Sequence, residues 1–187
     1  MARIFLLDNK KAEAWLEEHV PSRTEAPAYL QAYAPRFAGG MVAPRLKYVY
    51  AVKERLGQRL LQGPDPEIEA VARQAGLLTG KWIMYVPLAS VDALWRQLVL
   101  LAVREEALGP VAVKVASAGL ARTHPEHPDV FSLCVYVADG FDEQRAMEVA
   151  ALLKKHVDLS VLAEPLRFKL DVHTELNCKH GSFLYQA

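Results

Sequence analysis

Between residues 81 and 172 the hydrophobic positions recur with two alternating periods. In KWIMYVP (81–87), PVAVKVAS (110–117), VFSLCVYVA (130–138) and LRFKLDV (166–172), apolar residues take every second place or form short continuous runs. That is the pattern of strand side chains, which point alternately to opposite faces. Between these runs the period lengthens to that of a helix. Val91, Leu94, Trp95, Leu98 and Leu101 fall at i, i+3, i+4, i+7 and i+10, and Ala146, Val149, Ala150 and Leu153 form a second stripe. Ser90 and Asp142 stand where N-caps are expected, and Lys154 and Lys155 stand near a helix end that favours cations. The predicted order is β-α-β-β-α-β, a split βαβ arrangement of class α+β with both helices on the same side of an antiparallel sheet.

Upstream of residue 80 the pattern is less regular. Asp8 or Asn9 can cap a short helix over KKAEAWLEEHV (10–20), with Ala12, Trp15, Leu16 and His19 on one face and Pro21 closing it. Residues 21–44 hold Pro21, Pro27, Pro35, Pro44 and the pair Gly39-Gly40, which predicts a mostly irregular segment. Tyr29, Leu30, Tyr33 and Phe37 make it too apolar for a linker. RLKYVYAVKERLGQRLLQG (45–63) has helical spacing with a β-branched and aromatic start that also suits a strand; helix is the favoured reading. Glu67 to Ala75 reads as a helix with acidic residues in its first turn and Gly76 as its stop. The expected organisation is a single domain over 1–187, with a helical and irregular part at 1–79 and the core at 80–187.

Composition narrows the class of function. With 52 % apolar and 24 % charged residues, the 187-residue chain is that of an ordinary globular protein. Its 22 basic residues equal its 22 acidic ones, which argues against nonspecific nucleic-acid binding by bulk charge but leaves a local patch open. Two cysteines, Cys134 and Cys178, are too few for a disulfide framework. MARIFLLDNKK reaches Asp8 before a signal-peptide core forms, and no run approaches a membrane span. A cytoplasmic protein is expected.

Charge matters most on the sheet. If the helices cover the more apolar face, the open face receives Lys81, Ile83 and Tyr85 from the first strand and Ala112, Lys114 and Ala116 from the second. It also receives Ser132, Cys134 and Tyr136 from the third and Arg167, Lys169 and Asp171 from the fourth. Long basic side chains suit any wet sheet face. Here, however, small residues leave a hollow beneath the cations, and a hollow lined by cations and tyrosine hydroxyls suits a phosphate or carboxylate. The candidate ligand-binding residues are therefore Lys81, Tyr85, Tyr136, Arg167 and Lys169. Clustered cations lower a lysine's pKa and fit it as a general base, and Lys114, flanked by valines and alanines, is the best placed for that role.

Other constellations are weaker. His124 and His127 in RTHPEHP, and His173, Cys178 and His180 in HTELNCKH, lack a recognisable metal-ligand spacing. No G-x-G-x-x-G, Walker or G-x-S-x-G motif occurs, so neither metal nor cofactor is expected. Trp15, Trp82 and Trp95 fall on inferred buried faces, which favours packing over base stacking.

GKWIMYVPLASVDALWRQL, AVKVAS, LCVYVADGFDEQRAMEVAALLKKH and RFKLDVHTEL together resemble the family of the basophilic leukaemia expressed protein, with a fainter echo at AWLEEHVPSRTE. The shared features are a GKW strand, a VD..W helix start, a K-V strand, a CVY..D..D junction and a K.D..T strand. The resemblance implies a fold like that of the cap-binding translation initiation factor 4E, a curved antiparallel sheet with helices on its convex back. It also implies a phosphothreonine-lyase-like domain. Such lyases remove phosphate by β-elimination with a lysine base, a histidine acid and arginines on the phosphate. Carried over, Lys114 matches the base and Lys81 the lysine that opens the first strand. Those lyases place histidine two residues after that lysine, where this chain has Ile83, so the acid role falls to His124 or His173. Two functions follow as expectations: a noncatalytic module binding a phosphorylated peptide or small anionic ligand on a basic concave face, and a lyase-like enzyme.

Overall fold

A computed structural model describes residues 2–5, 9–25, 29–33, 66–109, 111–122, 127–162, 164–176 and 183–187. Seven strands form one sheet: β1 (Ala2–Phe5), β2 (Tyr29–Tyr33), β3 (Gly80–Pro87), β4 (Val111–Ala116), β5 (Val130–Val137), β6 (Arg167–Leu170) and β7 (Tyr185–Gln186). Their order across the sheet is β1-β2-β4-β5-β3-β6-β7. The five pairings that join β2 through β7 are antiparallel, while β1 pairs parallel with β2. The sheet is curved and unclosed. The helices are α1 (Asn9–Glu18), α2 (Pro66–Ala75), α3 (Leu88–Arg104), α4 (Ala118–Ala121), α5 (Glu143–His156) and α6 (Asp171–Glu175).

The central order β4-β5-β3-β6 is the split βαβ arrangement, because β5 lies between β3 and β4 and pairs antiparallel with both. One face carries Trp82, Met84, Val86, Val113, Val115, Leu133, Val135 and Phe168, which join α3's Leu94, Trp95 and Leu98 and α5's Val149 and Leu153 in a single core. The Trp82 indole N–H donates to the Ala146 carbonyl at 2.9 Å, which fixes α5 on that face. Trp82 is fully buried and Trp95 nearly so, whereas Trp15 is partly buried and stacks on His19.

Several local signals act as the sequence predicts. Asp142 caps α5, its carboxylate accepting from the Arg145 N–H at 2.9 Å, and Gly76 ends α2 with a left-handed φ of 65°. Others differ. Helix α3 begins two residues before Ser90, with Pro87 as its cap residue and no side-chain cap bond. The Asp129 carbonyl instead accepts the Leu88 N–H. The segment expected to be irregular contains β2, and the loop after β4 opens with α4, capped by the Ser117 hydroxyl. The fourth strand stops at Leu170, because Asp171 starts α6. The helix expected within 45–63 lies outside the described residues.

Candidate functional site

Opposite α3 and α5, the register brings the basic positions into rows. Gln31, Lys114, Cys134, Ile83 and Arg167 are successive partners across β2, β4, β5, β3 and β6. In the next row Ala112, Tyr136, Lys81 and Lys169 follow one another. A third row places Tyr29 opposite Ala116 and Ser132 opposite Tyr85. Ala112, Cys134, Tyr136 and Ile83 pack together as a second, small apolar cluster beneath this face. Ala112 and Cys134 are therefore filled over by the side chains around them, while Ala116 and Ser132 are not part of this cluster.

The four basic side chains have different surroundings. Lys81 is buried, and its Nζ lies 2.6 Å from Asp171 Oδ1, a bond made possible by the start of α6 directly after β6. Arg167 is partly exposed, pairs with Glu164 at 3.0 Å and lies over the Phe183 ring. Lys169 is partly buried. Lys114 is also partly buried, with its Nζ 4.5 Å from the ring centre of Tyr29 and 5.1 Å from that of Tyr136. Among the described residues no carboxylate lies within ion-pair distance of Lys114.

These surroundings divide the lysines chemically. Burial disfavours the charged form of Lys81, yet the charge and hydrogen bond of Asp171, with Glu175 beyond it, outweigh that cost and raise its pKa. Lys114 is pushed down, first by burial and then by the neighbouring Lys81 charge, against opposing contributions from Cys134 once ionised and from Asp171 and Glu175. The Cys134 thiol directly beside it is itself pushed up by burial, so it is neutral near pH 7 and supplies no counter-charge there. Burial likewise raises Tyr29, Tyr85 and Tyr136 above the ordinary phenol value, so all three hydroxyls stay protonated and can donate.

A cavity of about 350 Å³ opens at the Tyr29 end of the face. Tyr29, Tyr85, Ser132 and His127 supply polar groups, and Ala116, Leu120, Ala121 and Val130 supply the apolar wall. Tyr29 joins this cavity to Lys114, since its ring carries the ammonium and also forms part of the lining. Of the histidines considered from sequence, His127 reaches the cavity. His173 is fully buried on α6, and His124 lies outside the described residues. Among the described residues no three histidine, cysteine or acidic side chains gather as a metal site, and no helix is long and apolar enough to cross a membrane.

The family model for basophilic leukemia-expressed protein Bles03 matches residues 47–177. The chain belongs to the Bles03 family. The match begins well before Gly80 and so includes part of the N-terminal region as well as β3 through α6. No curated protein matches the chain.

The stretches that carry the resemblance to the Bles03 family divide into two groups. Gly80, Asp92, Asp139 and Asp142 serve the fold. A Cβ on Gly80 would sit 2.4 Å from the Phe168 ring, Asp139 accepts from the Phe141 N–H, and Asp142 caps α5. Asp92 accepts from both the N–H and the hydroxyl of Ser22, which ties the VPSRTE segment to α3. The second group, Lys81, Lys114, Tyr136, Lys169 and Asp171, meets on the open face. Sequence reasoning missed Tyr29 as a member of this site; its signal was the alternation of Tyr29, Gln31 and Tyr33 with Leu30 and Ala32.

Proposed function

We propose that the open sheet face binds an anionic group, a phosphate or carboxylate, with Lys114 at its centre. The observation that carries this reading is the asymmetry among the basic residues: Lys81 and Arg167 have carboxylate partners, while Lys114 sits between two tyrosine rings beside a cavity. Holding a desolvated amine without a counter-ion costs stability, and such groups gather where a ligand supplies the missing charge. Tyr29, Tyr85 and Ser132 supply neutral donors near it. Lys81, held by Asp171, raises the local potential without itself being consumed by the ligand, and Arg167 and Lys169 border the same face. The ligand is a phosphorylated peptide or a small anionic molecule, and the protein acts as a binding module in the cytoplasm, consistent with its free, buried Cys134.

Titration of inorganic phosphate at constant ionic strength, followed by amide NMR, tests this reading. Shifts confined to β2, β3, β4, β5 and α4 are expected. Shifts centred on Lys154 and Lys155 at the end of α5, or none, would refute it.

The lowered pKa of Lys114 favours a second reading, a lyase-like enzyme of the kind the family resemblance implies. In that reading the neutral amine removes the α-proton of a phosphothreonine. The electron pair forms the α–β double bond, the β-carbon–oxygen bond breaks, and inorganic phosphate departs with a proton from an acid. His127 lines the cavity and His173 is buried on α6. Loss of phosphoric acid from a phosphothreonine peptide, seen by mass spectrometry and abolished by Lys114→Met, would establish chemistry; phosphate-dependent binding without turnover would establish the module.

A further inference from the structure

Along β4 the cavity begins two residues beyond Lys114, about 6.6 Å at strand rise, at Ala116. Leu120 and Ala121 of α4 and the exposed Val130 at the start of β5 wall it, while Tyr29 links it to the ammonium. Its volume of about 350 Å³ is far more than a phosphate or carboxylate needs and falls at the small end of the range for organic-ligand sites. The cation thus stands at the edge of a recess whose far wall is apolar, with Tyr85 and Val130 both exposed at its rim.

We infer that the ligand is amphiphilic: an anionic group on Lys114 carries an aromatic or branched hydrocarbon body that fills the recess between Tyr29, Leu120 and Val130. This rests on the anion reading above and extends it from a bare charge to a class of ligand, the hydrocarbyl phosphate or carboxylate. Selectivity follows from the two halves. A bare anion gains only the polar half of the site, and a neutral hydrocarbon gains only the other. A compound joining both across one short bond gains each without a second loss of translational freedom. The imidazole of His127, exposed and in the lining, stands where the body of the ligand meets solvent.

The test compares inorganic phosphate, methyl phosphate and phenyl phosphate by isothermal titration on the full chain at one ionic strength. Phenyl phosphate should bind about tenfold or more tightly than methyl phosphate, as burial of one ring against apolar walls warrants. Leu120→Ala and Val130→Ala, both at partly or fully exposed positions and so tolerable to the fold, should each reduce that preference several-fold while leaving the affinity for inorganic phosphate unchanged. A blocked phosphotyrosine pentapeptide separates the sources of such a group. Binding tighter than phenyl phosphate points to a peptide, weaker binding points to a small molecule, and either supports the inference if the preference over methyl phosphate holds. Equal affinities for the three phosphates, or a preference unchanged in both variants, overturns the amphiphilic ligand while leaving the anion reading standing. Absence of all binding overturns both.

Discussion

Lys81 Nζ and Asp171 Oδ1 stand 2.6 Å apart across the junction of β3 and α6, with side-chain exposures of 6 % and 17 %. Removing one partner of such a pair strands the other charge in a desolvated place, whereas replacing both with apolar groups removes the need for compensation. Asp171→Ala should cost roughly 3–5 kcal/mol in urea unfolding, and Lys81→Met with Asp171→Leu together should cost far less than the sum of the two single changes. Additive single costs would show that the pair is not coupled.

The two lysines should also move stability in opposite senses at alkaline pH. The raised pKa of Lys81 means that its contribution is fully present below the unfolded value near 10.5 and is lost as pH rises through the higher folded value. Lys114, with its folded value lowered, exerts its full cost below that folded value, and the cost is relieved as pH climbs toward 10.5. Lys114→Met should therefore stabilise the protein at pH 7 by about 0.5–2 kcal/mol, the usual gain from relieving one unfavourable group. The gain should shrink by pH 10.5. A destabilised Lys114→Met protein at pH 7 would mark the lysine as structural.

Gly80, the first residue of β3, and Gly140, in the connection between β5 and α5, lie against each other. A Cβ on Gly80 would meet the Phe168 ring at 2.4 Å, and one on Gly140 would meet Leu170 at 2.7 Å. Gly80→Ala should cost about 1–3 kcal/mol by overpacking, with partial recovery when Phe168→Leu makes room. A neutral Gly80→Ala would show that the ring moves aside freely.

The clamp between Ser22 and Asp92 should act as a unit. Each of Ser22→Ala and Asp92→Ala leaves a polar partner unsatisfied at a part-buried site and should cost about 1–2 kcal/mol. The double variant should cost clearly less than the sum. Thermal unfolding of the three proteins measures the coupling.

The sequence made the core of this fold legible where hydrophobic period and length agreed. Strand β3, helix α3, strands β4 and β5, and helix α5 each carry several turns or pleats of one pattern, so a single residue cannot reverse the reading. Strand β2 was hidden because its five residues lie between Pro27 and Pro35, where punctuation outweighed a short alternation. Helix α6 was hidden because LRFKLDV keeps strand alternation through Val172, although the backbone turns helical at Asp171. That change determines the site: Asp171, read as one more residue of the strand's open face, instead reaches Lys81 from a helix start. The face shared by Lys81, Lys114, Arg167 and Lys169 followed from alternation alone. Their partners did not, because Glu164, Asp171 and Tyr29 come from loop, helix and edge positions that alternation does not relate. His127 was weighed only beside His124 as a metal ligand, because its place in the cavity depends on where α4 and β5 begin.

The most direct test of the account is the melting temperature of the wild type and of Lys114→Met in about 20 mM phosphate, against chloride at equal ionic strength. A ligand that binds the folded state alone stabilises it by RT ln(1 + [L]/Kd), which for a Kd of about 1 mM is roughly 1.8 kcal/mol, or a few degrees for a chain of this size. That rise is expected in the wild type, with none in the folded Lys114→Met protein. Equal responses in the two proteins would contradict it.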